Sequence, residues 1–234
     1  MNYRFCLLEV AMRHNKLSIK APLLIGFIAA LSACTTTEID QFRQADTEIN
    51  GDESIVILGR HQSNSYETEL DFVACVGDVV ANGADGINVI PEETFLDAMF
   101  PYFEPRRAPM HTDHLEQLMQ QDIAVEKLEE FGVKYIVWLD GLTQRSGESG
   151  SIACAVGPGG GGCYGFGTWT DDSNFEAEIW DMDTLTSAGT ISADANGQSY
   201  LPAIIIPIPL LARVESNVCN GMGQQLKSFL NGDL

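Results

Sequence analysis

Positive charge is scarce in this 234-residue chain. It carries 13 Lys and Arg residues against 33 Asp and Glu residues, which gives a formal net charge of −20. Nucleic-acid binding depends on Lys and Arg side chains that neutralise phosphates, so we expect no nucleic-acid partner. A strongly acidic surface keeps a domain soluble, and a cationic protein or divalent ions are the partners that it would attract.

Sequence patterns of common enzyme sites are also missing. The Gly-rich run at 157–162 lacks the Lys and Ser/Thr of a phosphate loop and precedes a predicted strand, so we interpret it as a hairpin tip. No Gly-x-Ser-x-Gly elbow is present. His111 and His114 are candidate metal ligands because imidazoles three residues apart can share a helix face, but we favour ordinary surface residues at a helix start. We predict no catalytic residue, no cofactor and no enzymatic activity; the alternative is an envelope enzyme or metal-binding protein that uses His111 and His114.

No hydrophobic run is long enough to span a bilayer, which needs about 20 apolar residues. The apolar stretch at 21–31 follows Arg13, Lys16 and Lys20 and ends in small residues. This layout is typical of a secretory signal, so we expect residues 1–33 to be removed. Met12 is a second candidate start, because residues 1–11 carry Glu9 in a leader that is otherwise cationic.

The tetrapeptide Leu31-Ser32-Ala33-Cys34 resembles the lipobox of bacterial lipoproteins. The resemblance implies that Cys34 becomes the lipidated, palmitate-bearing first residue and attaches the mature protein to a membrane. Known inner-membrane retention signals have Asp at the place of Thr35, so we expect the periplasmic face of the outer membrane. Removing residues 1–33 takes away four of the 13 basic and one of the 33 acidic side chains, leaving 9 and 32 and a formal charge of −23.

Four cysteines remain downstream of the lipidation site: Cys75, Cys154, Cys163 and Cys219. An even number in an exported chain predicts disulfides, and four cysteines permit three pairings. Cys154 and Cys163 flank the Gly-rich run between two apolar segments, so a hairpin would bring them together. Local geometry therefore favours this pair, with Cys75 bonded to Cys219 between two predicted helices.

Residues 34–53 are polar without a sustained period and predict a flexible tether, and residues 54–234 form one predicted domain. Periodicity predicts strands at 54–58, 87–90 and 133–139, helices at 66–80, from 91, from 112, at 123–131 and at 215–230, and a meander with strands at 152–156, 163–170, 175–182 and 190–193. The fold class is therefore α+β, with a mixed or antiparallel sheet of about five to six strands and helices packed on one face.

The segment at 201–211 combines Pro202, Pro207 and Pro209 with almost continuous apolar residues. The prolines exclude an ordinary helix interior or central strand. Two interpretations stay open: a buried extended connector beneath the terminal helix, or an exposed patch that meets a partner or the bilayer interface.

The order of elements resembles the amino-terminal domain of TolB, the propeller protein of the Tol-Pal system, and the curli-secretion lipoproteins. A Gly132-Val-Lys-Tyr-Ile-Val strand and an Ile179-Trp-Asp-Met-Asp-Thr strand carry the resemblance, which spans residues 54–230. It implies a non-enzymatic protein that binds another envelope protein or forms a homo-oligomer. We see no long amphipathic β-hairpins of the kind that line the curli-secretion pore, so we expect no pore.

Overall fold

Strands and amphipathic helices alternate through the first half of the chain, and three long strands follow. The structure is a computed structural model and describes residues 2–5, 35–62, 66–105, 107–158, 160–207 and 209–233. The strands are β1 Asn2–Phe5, β2 Thr35–Arg43, β3 Ser54–Gly59, β4 His61–Gln62, β5 Tyr66–Glu67, β6 Asn88–Ile90, β7 Val133–Gly157, β8 Gly160–Asp181 and β9 Thr186–Pro207. The helices are α1 Leu70–Ala81, α2 Glu92–Ala98, a 3₁₀ turn at Thr112–His114, α3 Leu115–Leu118, α4 Asp122–Phe131 and α5 Val214–Leu230.

One large sheet organises the fold, in the order β1–β2–β9–β8–β7–β3–β6. Strand β3 pairs in parallel with β6 and β7, and the other pairings are antiparallel. Strands β4 and β5 form a separate two-stranded hairpin. Strand β1 belongs to the segment that we expect to be removed, and without it the sheet has six strands. The predicted α+β class with a mixed sheet is confirmed.

Helices lie on both faces of the sheet, whereas we expected them on one. Alternate residues of β7 point in opposite directions: Tyr135, Val137 and Leu139 pack under α1 and α5, while Ile136 and Trp138 pack under α2, α3 and α4. The reason is that β3 and the start of β7 are apolar at nearly every position, which is the pattern of strands covered on both faces. Helices α1 and α5 therefore lie on one face of the sheet, and α2, α3 and α4 lie on the other.

The expected tether over residues 34–53 is wrong for the part that the structure describes. Residues 35–43 form β2, which pairs with β9 from Thr35 to Arg43 and buries Ile39 in the core. The three threonines, Ile39 and Phe42 suit a strand, and this preference outweighs the polar composition. The connection that follows is also held in place, since Thr47 donates a hydrogen bond to the Phe229 carbonyl.

The predicted meander of short strands is replaced by three long ones, β7, β8 and β9. Gly, Ser, Asp and Asn residues that we interpreted as turns lie within continuous strands. At Gly165, for example, the backbone has φ +150°, and a Cβ would lie 2.2 Å from the Ser151 carbonyl oxygen. The glycine permits close strand pairing here instead of ending the strand. Strands β7 and β8 thus form one long hairpin, from Tyr135 opposite Asp181 to Gly157 opposite Gly160.

Apart from the buried Ala203, the described residues of the Pro-rich segment at 201–211 are exposed or partly exposed, so the buried-connector interpretation is wrong. Its first part continues β9 to Pro207 and pairs with β8, from Leu201 opposite Gly167 to Ile205 opposite Cys163. Beyond the end of β2 this part of β9 is an edge strand, where a proline can be accommodated because no partner needs its missing N–H. Ile204, Ile205 and Ile206 are each about 70% exposed.

Candidate binding surface

An acidic surface covers the half of the sheet that α2, α3 and α4 leave open. Alternation in β2, β7, β8 and β9 sends apolar residues such as Ile39, Phe175 and Ile191 toward α5. The intervening residues face the opposite way and are exposed or partly exposed. We call this surface the acidic face; its carboxylates are Glu38, Asp40, Asp140, Asp172, Glu176, Glu178 and Asp194.

An open groove of about 500 Å³ lies at the centre of the acidic face. Two amides line it and hold two of the carboxylates: Asn174 donates to Asp194, and Asn196 donates to Asp172. Ser146 also donates to Asp172, at 3.0 Å. Each carboxylate keeps lone pairs free for another donor, so the groove presents hydrogen-bond acceptors that are negatively charged and held in place.

Like charges oppose each other directly across neighbouring strands of the acidic face. Glu38 of β2 pairs in register with Asp194 of β9, and Asp140 of β7 pairs with Glu176 of β8. Such pairs destabilise a sheet. Arg60 meets one acid of the face, the Glu178 carboxylate, at 2.5 Å. The face therefore keeps an unfavourable charge arrangement that a cationic ligand would relieve.

The structure contains both disulfides that the sequence favours. Cys75 of α1 is bonded to Cys219 of α5, across 144 residues. Cys154 and Cys163 lie directly opposite each other in β7 and β8 and close the hairpin whose tip is the Gly-rich run. The first disulfide joins the two helices behind the acidic face, and the second holds the far end of the long strands.

The other candidate residues do not assemble into a site. His111 and His114 lie beside the start of α3, with ring centroids 6.0 Å apart. Within the part of the chain that the structure describes, no group of three or more His, Cys, Asp or Glu side chains is arranged to hold a metal ion. Cys34 lies outside the described residues, immediately before β2.

Sequence reasoning did not identify the acidic face as a surface. One signal was present: in β8 the acids Glu176 and Glu178 alternate with Phe175, Ala177 and Ile179, which indicates a strand with one wet side. The acidic residues of β2 and β9 could not be placed on this surface, because we predicted a tether where β2 lies and turns over most of β9. Asp181, the third acid of that stretch, is buried and accepts hydrogen bonds from the backbone N–H groups of Asp183 and Thr184.

Comparison with known proteins leaves the chain without a family. No protein-family model matches it, and no curated protein matches it. Among solved structures it is similar to the PelC dodecamer from Paraburkholderia phytofirmans, with 12% identity, a TM-score of 0.33, and 83% of this chain and 97% of that chain covered. A single-substitution variant of the same dodecamer gives 9% identity and a TM-score of 0.35, with 83% and 99% covered. Likenesses at this level do not assign the chain to a family or a role.

No helix in the described part of the chain has both the length and the hydropathy needed to cross a membrane.

Proposed function

We propose that this protein is a lipoprotein of the outer membrane, anchored through Cys34, that acts without catalysis as a binding or assembly adaptor in the periplasm. Its acidic face binds a cationic segment of another envelope protein. This proposal rests on the open acidic face. Its directly opposed carboxylate pairs, Glu38–Asp194 and Asp140–Glu176, place like charges side by side on a packed sheet. The lipobox resemblance and the exported-type cysteine pattern support the location.

The packing of the sheet favours a binding role for the acidic face over a role in solubility alone. Phe175, Ala177 and Ile179 are fully or almost fully buried on the opposite side of β8, so the acidic side chains stand on a backbone that packing fixes. Fixed acceptors lose little freedom on binding, which lowers the entropic cost of association. Complementary charge also accelerates encounter with a basic partner.

Crosslinking in intact cells tests this proposal. A photoreactive amino acid replaces Asn174, in the groove, and in a matched control replaces Gln224, which is exposed on α5 on the other side of the sheet. We expect a discrete adduct with one basic envelope protein from position 174 and none from position 224. Equal labelling from both positions, or no adduct from either, would refute the adaptor. An adduct of twice the mass of this chain would also refute it, because a second copy would then occupy the face.

A further inference from the structure

The far ends of the three long strands form a protruding arm, which we define as residues 149–157 of β7, 160–170 of β8 and 198–207 of β9. Strand β3 pairs with β7 only as far as Leu139, and β2 pairs with β9 only as far as Gly197. Beyond those points the arm strands pair with one another, from Ser149 opposite Thr168 to Gly157 opposite Gly160. At about 3.3 Å per residue, the 11 residues 160–170 extend for roughly 35 Å.

The arm carries no charge in a chain that is otherwise strongly acidic. Residues 149–170 and 198–212 contain no Asp, Glu, Lys or Arg. Both sides of the arm are apolar instead: Tyr164, Phe166 and Ile204 lie on the side of the acidic face, and Val156 and Ile205 on the other. Exposure reaches 90% at Val156 and 79% at Tyr164. Antiparallel sheets commonly pack one face on a core and keep the other face polar, so apolar residues exposed on both sides of the arm favour an environment that contacts both sides.

Charge returns abruptly at the base of the arm, together with an aromatic residue. Trp169 donates through Nε1 to Asp171 at 3.0 Å, and the Arg145 guanidinium lies 4.8 Å from its ring centroid. Tyr200, opposite Thr168, is partly exposed and donates to Gln198 at 2.7 Å. An apolar region bounded by Trp and Tyr and then by charges is the arrangement found where proteins meet the membrane–water interface.

The chain enters β2 at the same end of the sheet. Thr35 pairs with Gly197, the residue immediately before the part of β9 that belongs to the arm. Because β2 and β9 are antiparallel, β2 begins at the end of the sheet from which the arm extends. A lipid on Cys34 would therefore lie beside the base of the arm.

We propose that the arm lies in the interfacial region of a lipid bilayer and gives the protein a second membrane attachment beside the lipid. The position of the lipid rests on the proposed function, whereas the apolar arm does not. On the outer edge of β9, Tyr200 exchanges backbone hydrogen bonds with Leu210. The arm does not reach the bilayer centre, because the outer edges of β7 and β9 offer further backbone N–H and C=O groups that need water. Pro202 and Pro207 lack N–H groups and oppose edge pairing with a second copy.

Tryptophan fluorescence tests the location of the arm. The full-length protein, purified from membranes and reconstituted in phosphatidylcholine vesicles, carries Tyr164→Trp in the arm; the matched control carries Phe42→Trp, an exposed aromatic at the opposite end of β2. With brominated lipids we expect Tyr164→Trp to lose at least roughly half of its added emission, and Phe42→Trp to lose none. Bromine near the headgroups should quench more strongly than bromine near the bilayer centre.

Several results would overturn the proposal. These are no quenching of Tyr164→Trp, equal quenching of Phe42→Trp, stronger quenching from the bilayer centre, or a concentration-dependent blue shift of Tyr164→Trp without lipid, which would indicate that a second copy covers the arm. Intact mass of the same samples reports the lipid on Cys34 independently. A chain without lipid whose Tyr164→Trp is still quenched by added vesicles would support the arm proposal and refute the anchor.

Discussion

At the scale of single residues, the carboxylate of Glu215 lies in the first turn of α5, close to Glu69 and Asp71. Partial burial, followed by repulsion from these two acids, raises the pKa of Glu215 above the ordinary value of 4.5. The folded state then holds the proton more tightly than the unfolded state. Stability is therefore lost as the pH rises from the unfolded-state pKa of Glu215 through its folded-state pKa. Above the folded-state pKa the free-energy cost of the charged carboxylate is fully present.

Replacing Glu215 by Gln removes this pH-dependent cost. Relative to the wild type, we expect Glu215→Gln to gain stability as the pH rises from about 4 to about 7, because only the wild type becomes charged. Urea unfolding at a series of pH values measures the difference. Glu126→Gln, an exposed residue of α4, serves as the control. A difference between Glu215→Gln and wild type that is independent of pH would contradict this prediction.

At the scale of elements, the two disulfides stabilise different parts of the molecule. Cys75–Cys219 closes a loop with a sequence separation of 144 and joins two helices that pack on the core, whereas Cys154–Cys163 closes one of 9 within the arm. In the chain-entropy model the longer loop contributes about 4 to 5 kcal/mol. The shorter one orders a hairpin that is mostly exposed.

We therefore expect Cys75→Ala/Cys219→Ala to lower the free energy of unfolding of the domain by about 5 kcal/mol in the chain-entropy model. The matched variant Cys154→Ala/Cys163→Ala should lose less, because its short loop contributes about 3 kcal/mol in the same model and constrains a hairpin that is mostly exposed. Calorimetry under non-reducing conditions distinguishes the two. Equal losses in both variants would show that the arm and the core unfold as one unit.

Elements could be predicted where their sequence signals come from residues close together in the chain. Strand β3, helix α4 and helix α5 follow directly from apolar spacing, and the structure has them close to the expected bounds. Strand β2 and most of β9 did not follow, because their stability comes from pairing with distant strands. The Gly, Ser, Asp and Asn residues within β7 and β8 likewise lie in strands because neighbouring strands pair with them, which a local pattern does not show.

The candidate surface was harder to predict than the fold for the same reason. Its carboxylates come from four strands, and no short stretch of sequence brings Glu38 near Asp194. The cysteine pairs were easier, since the flanked Gly-rich run fixed one pair and left the other. The Pro-rich segment left two interpretations open, because prolines are equally compatible with a connector and with an edge strand.

At the scale of the whole molecule, the proposed lipid anchor adjoins the domain that carries the acidic face. If Cys34 is the lipidated first residue, β2 begins one residue later and the domain lies close to the membrane instead of standing off on a tether. We expect the mature protein from envelope fractions to have the intact mass of residues 34–234 plus a lipidated cysteine, and Cys34→Ala to abolish that form. A mature protein that retains residues upstream of Cys34 without lipid would contradict the anchor.

Binding of a basic partner by the acidic face depends on the opposed carboxylates, which can be changed without loss of stability. Glu38→Gln/Glu176→Gln removes one member of each like-charge pair, so we expect the variant to be more stable than the wild type, by roughly 0.2 to 1 kcal/mol per pair. Its crosslinked adduct from position 174 should nevertheless disappear. The control Glu126→Gln/Glu129→Gln makes the same charge change on α4 and should keep the adduct. An undiminished adduct in the stabilised Glu38→Gln/Glu176→Gln variant would show that the acidic face does not bind the partner through its charge.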